Sequence, residues 1–449
     1  MEEAILIIGG GIAGINCALN AANYGVKAYL VDDTPSIGGM MARLDKTFPT
    51  NDCSICIEAP LMYEVHNHPK IEILTNTEVR KVKKTDGVFN VRLLKKAKFI
   101  DEEKCTGCRA CVEACPVSLP DEMDGKIGGM RKLISMAFPQ AVPNTVAIHP
   151  DCRFGKMREK GACVGGCVVD CSQCRECPIA LCVLACKKEG KDAIRLWQSN
   201  KNLDIEVKSI VVATGIMDAP APPGLHGYDL YENVITNTQF ERLMNAGGPT
   251  AGQIIRPSDK KHAHKIGWIQ CAGRGLTRGV PYCSKVCCMI AAKQTIITKE
   301  HDTSVETLIF HNDLKAYSKG FWGFYQKAIE KGVRYIKGRP YDVFEDPATK
   351  HLTVRYEDLE TGELGKEEVD LLVLSTGLIP SNRNPNLAKV LNIELDHLGF
   401  FKERDPLLAP LETKVEGIYL CGGATGPIDI SESVVQACAA SMKAVLMNS

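Results

Sequence analysis

The stretch Ala4-Ile5-Leu6-Ile7-Ile8-Gly9-Gly10-Gly11-Ile12-Ala13-Gly14, running on into Ile15-Asn16-Cys17-Ala18-Leu19-Asn20-Ala21-Ala22, decides the fold. Its first five residues are apolar without alternation and read as a buried parallel strand, and the residues after Gly14 read as a helix. Between them Gly9, Gly11 and Gly14 keep the spacing Gly-x-Gly-x-x-Gly. Glycines there permit a tight turn and bring backbone N–H groups close to a pyrophosphate, whose charge the helix N-terminus stabilises. A second strand-like run, Val26-Lys27-Ala28-Tyr29-Leu30-Val31, ends in Asp32, where an acid that accepts ribose hydroxyls is expected. Together these predict a doubly wound dinucleotide-binding unit; a glycine-rich turn of unrelated purpose requires no acid at that position.

The remaining chain brings the total to 449 residues, enough for two to three domains. Lys and Arg number 54, as do Asp and Glu, so no global field draws the chain to nucleic acid or acidic lipid. A composition 45% apolar and 24% charged excludes wholesale disorder. Met1-Glu2-Glu3 leads straight into a strand with no basic export signal, and no apolar run reaches the ~18 residues of a membrane span. These features predict a cytoplasmic protein with no nucleic-acid partner and no direct membrane span.

Cysteine is the outlier, with 21 residues grouped in tight Cys-x2-Cys patterns that favour metal ligation over a disulfide framework. Cys105-Thr106-Gly107-Cys108-Arg109-Ala110-Cys111-Val112-Glu113-Ala114-Cys115-Pro116 is the bacterial ferredoxin run, in which three thiolates bind one cubane and the fourth binds its neighbour. Its second half is Cys174, Cys177, Cys182 and Cys186. Exchange of the fourth ligands gives one 4Fe-4S cluster on Cys105, Cys108, Cys111 and Cys186, and another on Cys174, Cys177, Cys182 and Cys115. A zinc ribbon uses two Cys-x2-Cys pairs and leaves the additional cysteines without a role. Cys152, Cys163, Cys167 and Cys171 read either as ligands of a third cluster or as buried small hydrophobes, with Cys171 an alternative to Cys174. All twelve lie between a hairpin pattern over residues 78–94, turning at Asp86-Gly87, and the next strand near Ile205, which marks an inserted domain.

Two more apolar strands end alike, Ile210-Val211-Val212-Ala213-Thr214-Gly215 and Leu372-Val373-Leu374-Ser375-Thr376-Gly377, and Gly417-Ile418-Tyr419-Leu420-Cys421-Gly422-Gly423-Ala424-Thr425-Gly426 stands near the C-terminus. These resemble the flavin-disulfide reductase superfamily. The resemblance implies FAD, held by Gly9, Gly11, Gly14, Asp32, Gly39, Thr214, Gly215, Gly377, Gly422, Gly423 and Ala424, with a helix from Asp429 to Met442 aimed at the flavin ring. The acid usual in the closing motif is absent, and Gly423-Ala424 replaces it.

Further stretches narrow the likeness: Phe48-Pro49-Thr50-Asn51-Asp52-Cys53-Ser54-Ile55-Cys56, Ile269-Gln270-Cys271, Tyr282-Cys283-Ser284-Lys285-Val286-Cys287-Cys288-Met289, and Ala424-Thr425-Gly426-Pro427 before Asp429-Ile430-Ser431-Glu432. Together they resemble the A-type subunit of heterodisulfide reductase and its relatives over nearly the whole chain. That resemblance implies an α/β flavoprotein with two dinucleotide-binding domains, thioredoxin/glutathione-reductase-like, carrying an inserted bacterial-ferredoxin-like α+β domain. The expected division places FAD-binding segments at 1–98, 197–224 and 377–449, the insert at 99–196 and a degenerate NAD(P)-like middle domain at 225–376.

Cys283 and Cys287, four residues apart, are expected to share a helix face beside Cys288. With Cys53 and Cys56 they form a candidate set for another 4Fe-4S centre near the flavin, and the choice among Cys271, Cys287 and Cys288 stays open. The alternative is a redox-active cysteine pair, since a Cys-x2-Cys can also be a dithiol. Within the resemblance Lys293 is placed to reach the flavin ring, with Glu241 as its carboxylate partner. Cys17, Cys421 and Cys438 lie in apolar stretches and read as core.

From His264 to Gly275 no second Gly-x-Gly-x-x-Gly keeps register, and Gln270-Cys271 stands where backbone would approach a pyrophosphate. Electrons are therefore expected to travel through clusters. The resemblance implies an oxidoreductase subunit for FAD and 4Fe-4S electron transfer, bifurcating or confurcating, within a heterodisulfide-reductase-like complex. Its implied partners are cluster-bearing subunits, ferredoxin, and hydrogenase or NADH-linked modules, assembled as a dimer of the complex. Methanogen-type relatives carry further iron–sulfur segments, so the chain reads as a trimmed form. The rival readings are a self-sufficient NAD(P)H-dependent flavin and iron–sulfur oxidoreductase, similar to the small subunit of glutamate synthase, and a non-enzymatic redox sensor or scaffold.

Overall fold

The computed structural model describes residues 3–122, 124–149, 152, 180–275 and 279–448. Strand β1 (Ala4–Ile8) is buried at every position, as a strand covered on both faces must be. It pairs in parallel with β2 (Lys27–Val31), and Ile71–Leu74 extends the sheet beyond β2. On the other side Ser209–Val212 and then Ile418–Leu420 complete five strands. Helix α1 (Ile12–Asn23) leaves the glycine loop and packs against the C-terminal helix, Ile430–Leu446, through Ala18, Ala21, Ala437, Ala440 and Ala444. The C-terminal helix runs one turn past the expected Met442, and Asp429 with Glu432 closes a capping box at its start.

Thr77–Thr85 and Val88–Lys95 form the expected hairpin, and Val88–Lys95 pairs along its other edge with Lys201–Val207, Lys95 opposite Lys201. The intervening residues thus leave and rejoin one ladder at facing positions. Their described part holds two short antiparallel pairs, the turn of helix Ala110–Glu113 and a helix at Leu181–Lys188. Its small core contains Cys111, Cys115, Cys182 and Cys186 among Ile100, Leu133, Ile148 and Ile194. Arg242 forks onto Asp124 at 2.9 and 3.1 Å and ties this region to the middle of the chain.

Two short strands, Ile216–Asp218 and Leu378–Pro380, pair antiparallel where the chain enters and leaves its middle domain. Between them lies a seven-stranded sheet. Val234–Thr236, Leu371–Leu374, Lys265–Ile269, Glu306–His311 and the start of Arg334–Glu345 are parallel, and Leu352–Asp358 and Leu364–Val369 add an antiparallel edge. Trp268 is fully buried edge-on against Phe240, and its indole N–H donates to Gln294 Oε1 at 3.0 Å, so its one polar atom is satisfied. Among the described residues no helix is long and apolar enough to cross a membrane.

Two expectations change. The middle-domain helix at Cys287–His301 begins at Cys287, and Lys285 just before it has φ 67°, so Cys283 lies in a loop and shares no helical turn with Cys287. Cys17 and Cys421 are core residues with sulfurs 3.7 Å apart, whereas Cys438 is exposed and its sulfur accepts the Asn20 side-chain N–H of α1 at 3.3 Å.

Helix α2 (Ser54–Asn67) buries Ser54, Glu58, Met62 and Val65. The Ser54 hydroxyl and both Glu58 oxygens have no hydrogen-bond partner among the described residues. Burial lifts the Glu58 carboxyl from 4.5 to about 9, so at neutral pH it is protonated in the fold and ionised in the unfolded chain. Its contribution to stability is complete below the unfolded value and disappears as pH rises toward the folded one. In anaerobic urea denaturation, Glu58→Gln is expected to exceed wild type in stability at pH 8 and to show a shallower decline from pH 5; parallel declines would contradict this assignment.

Candidate flavin and iron–sulfur sites

The glycine loop fits because two backbones touch. A Cβ on Gly14 would lie 1.8 Å from the Gly9 carbonyl oxygen, and one on Gly9 would lie 2.2 Å from the Ala213 oxygen. The Asp32 carboxylate accepts the Gly10 N–H at 2.7 Å on one oxygen and the Thr34 N–H and hydroxyl at 2.8 and 2.5 Å on the other. Three of its roughly four acceptor positions therefore brace the loop. Gly39 faces Gly11, Gly422 faces Ala13, and Gly423 faces Gly215. Thr214 donates to Asn384 Oδ1 at 3.0 Å, and Gly422 N–H donates to Gln436 Oε1 at 3.0 Å, while Ala424 is buried. Four distant segments thus meet in a cradle bare of side chains at the N-terminus of α1, whose Gly11 N-cap offers no side-chain cap. These residues fit the pyrophosphate and ribityl chain of FAD. Gly377 lies instead against the Ser284 hydroxyl.

In the insert, Cys105, Cys108, Cys111 and Cys186 line one pocket with Ile100, Val146, Ala193 and Ile194. The Ala193 N–H donates to Cys186 Sγ at 3.2 Å. Burial, with the neighbouring Cys105, Cys186 and Cys108, pushes the Cys111 thiol up to about 12. Among the described residues no three His, Cys, Asp or Glu side chains converge on a single-ion site. Four thiols around one apolar pocket are a donor set that fits a 4Fe-4S cubane. Cys115 and Cys182 share the same small core, with Cys152 packed at its edge. Cys163, Cys167, Cys171, Cys174 and Cys177 lie outside the described residues.

A second thiol group forms in the middle domain. Cys271 follows strand Lys265–Ile269 in the left-handed region at φ 57°, and Cys287 and Cys288 open the next helix. Burial raises the Cys287 thiol, and the neighbouring Cys288, Cys271 and Cys283 raise it further. Cys288 rises to about 11 by burial against the pull of the Lys315 N–H, with Cys271 and Cys283 adding to the rise. Cys271 and Cys283 thus lie close enough to Cys287 and Cys288 to act on both thiols. Cys53 and Cys56, grouped with them in the sequence reading, are bonded to each other at the N-terminus of α2, where their Cα atoms lie 5.2 Å apart.

Lys293 and Glu241 form an ion pair of 2.5 Å with each side chain 2% exposed. Lys293 also donates to the Lys46 carbonyl at 2.8 Å, and Glu241 accepts from Asp45 N–H and Gln294 Nε2 at 2.9 and 3.1 Å, so the buried charges are fully partnered. Sequence reasoning missed Asp218, which lies near both Glu241 and Cys287 and whose carboxyl is raised by burial. Nothing in its local sequence marks it.

The chain matches the FAD-dependent oxidoreductase family over residues 4–52 and the 4Fe-4S binding domain over residues 98–118. Thioredoxin reductases from T. acidophilum and Lactococcus lactis align over 99% of both chains at 14% identity, with TM-scores of 0.50 and 0.51. The fold is thus that of a thioredoxin-reductase-like flavoprotein with two dinucleotide-binding domains and a 4Fe-4S insert. The iron–sulfur A-type subunit of the CoB–CoM heterodisulfide reductase of Methanocaldococcus jannaschii is 44% identical over 97% of the chain and 63% of its own length. The A-type subunit of the H2:CoB–CoM heterodisulfide,ferredoxin reductase of Methanothermobacter marburgensis is 40% identical over 99% of the chain and 64% of its own length. The chain spans just under two thirds of these relatives. At 40–44% identity over nearly its whole length, the chain belongs to the family of the A-type subunit of heterodisulfide reductase.

Proposed function

We propose that the chain is an electron-transfer subunit of a heterodisulfide-reductase-like oxidoreductase, in which FAD and 4Fe-4S centres connect partner subunits and divide electron pairs between two routes. The observation that carries this reading is the position of Cys271, Cys283, Cys287 and Cys288. They occupy the connection from strand Lys265–Ile269 to helix Cys287–His301, a strand-to-helix turn of the kind in which a nicotinamide dinucleotide rests its pyrophosphate. A thiol group in that turn favours a cluster over a hydride donor, and so favours relay over the self-sufficient NAD(P)H oxidoreductase.

In this reading the insert pocket holds one cubane on Cys105, Cys108, Cys111 and Cys186, and Cys115 with Cys182 contributes to a second with Cys174 and Cys177. The middle-domain thiols hold another. Bound FAD supplies the exchange between paired and single electrons. Lys293, fixed by Glu241 and the Lys46 carbonyl, keeps a buried positive charge in the middle domain for the flavin side. The Methanothermobacter marburgensis relative is named for H2, the CoB–CoM heterodisulfide and ferredoxin. By that likeness the partners here are cluster-bearing subunits and a hydrogenase- or formate-linked module, with electron bifurcation as the mode and a dimer of the complex as the assembly.

Anaerobic purification followed by iron, acid-labile sulfide and FAD analysis tests the reading. About 12 to 16 iron per FAD is expected for three or four cubanes, and about 8 would confine the clusters to the insert and remove the middle-domain centre. Cys186→Ser and Cys287→Ser are each expected to lower the iron count by about four without loss of FAD. An unchanged count in either variant would withdraw that cysteine from the ligand set. Glu241→Ala leaves the Lys293 ammonium buried without its partner, and chemical denaturation should register a loss of about 3–5 kcal/mol.

A further inference from the structure

Residues Tyr282 to Lys285 belong to the middle domain by chain order, yet their side chains fasten outside it. The Tyr282 hydroxyl donates to the Leu378 carbonyl at 2.9 Å, and its ring meets Phe400 at 5.9 Å. The Ser284 hydroxyl accepts the Leu378 N–H at 2.8 Å, so both backbone groups of one residue in the crossing ribbon are held by this segment. Gly377 must lack a side chain for that contact, because its Cβ would come within 2.6 Å of Ser284 Oγ. Lys285 reaches Glu432, in the first turn of the C-terminal helix, at 3.1 and 3.2 Å. Tyr317 stands beside this pair, 5.2 Å from the Lys285 ammonium and 3.5 Å from the Glu432 carboxylate. Lys285 also donates its backbone N–H to Cys283 Sγ at 3.4 Å, with φ 67° directing its chain away from the helix that follows.

We propose that residues 282–285 form a strap that fixes the middle-domain thiol group against the flavin-side domain, with Lys285 as the positioning residue that sets the separation between them. The need follows from the connectivity. Domains joined by a two-stranded ribbon and by polar contacts such as those of Lys293 and Glu241 with the Asp45–Lys46 loop move relative to one another by default. Single-electron transfer falls steeply with distance, so a relay between the cradle and the thiol group requires that motion to be restrained. The strap restrains it at three points, two on the ribbon and one on the helix that follows the cradle glycines Gly422 and Gly423. The ion pair to Glu432 is the one anchor that reaches past the ribbon by charge, and it attaches next to Cys283 itself.

The inference rests on the proposed cluster at Cys271, Cys283, Cys287 and Cys288, and the test keeps the two apart. Holoprotein, Lys285→Met and Lys285→Arg are compared by hydrogen–deuterium exchange over residues 279–290 and by the microwave power that saturates the flavin EPR signal, with FAD and iron quantified in each. The expected result is faster exchange and a severalfold lower saturating power in Lys285→Met at unchanged FAD and iron content, both restored in Lys285→Arg. Unchanged exchange overturns the strap, and faster exchange with unaltered saturation overturns Lys285 as the residue that sets the separation. If Cys287→Ser loses no iron, the proposed function fails at this site, and the exchange data alone then decide whether the strap exists.

Discussion

The antiparallel pairing of Ile216–Asp218 with Leu378–Pro380 is the constraint on which the other arrangements depend. Each strand is preceded by a Thr-Gly turn, Thr214-Gly215 on one side and Thr376-Gly377 on the other. Gly215 borders the cradle through Gly423, and Gly377 yields its space to Ser284 beside the middle-domain thiols. The two similar turns are therefore the two ends of one ribbon, and they bring the flavin cradle and the thiol group to the same crossing point. Gly215 and Gly377 both have positive φ, at 67° and 94°, a conformation in which a side chain would be strained.

The buried polar groups follow the same geography. Lys293 and Glu241 are removed from water between the middle domain and the loop around Asp45 and Lys46, and every oxygen of Glu241 is engaged. Asp218, at the end of the ribbon strand, lies near enough to act electrostatically on Cys287 and to feel Glu241, and burial raises its carboxyl. Charge is thus concentrated where the domains meet, at groups whose desolvation is offset by several hydrogen bonds each.

The glycine loop, the hairpin and the ferredoxin run were legible because their information is local. A strand followed at once by Gly-x-Gly-x-x-Gly admits few backbones, and the Cys105 to Cys115 spacing determines which thiols face one cluster. Even the remote Cys186, grouped with them by that rule, lines the same pocket as Cys105, Cys108 and Cys111. What escaped the sequence depends on contacts between distant segments. Cys283 departs from the helix because Lys285 turns toward Glu432, 147 residues away. Cys271 comes near the other thiols through a left-handed residue at a strand end, and Cys438 lies exposed at the edge of the contact with α1, where Asn20 donates to its sulfur. The bond between Cys53 and Cys56 was one of two chemistries the Cys-x2-Cys spacing allowed.

The facing of Lys95 and Lys201 across one ladder has a consequence for how the insert is held. Paired residues in an antiparallel ladder stand only about 5 Å apart, a gap a tight turn spans as readily as a whole module. The seam itself therefore keeps no record of how long a segment leaves and returns through it; what weds the insert to its host lies elsewhere, in Arg242 on Asp124, in Ile127 within the middle-domain core and in Phe138 and Val142 against the flavin-side core.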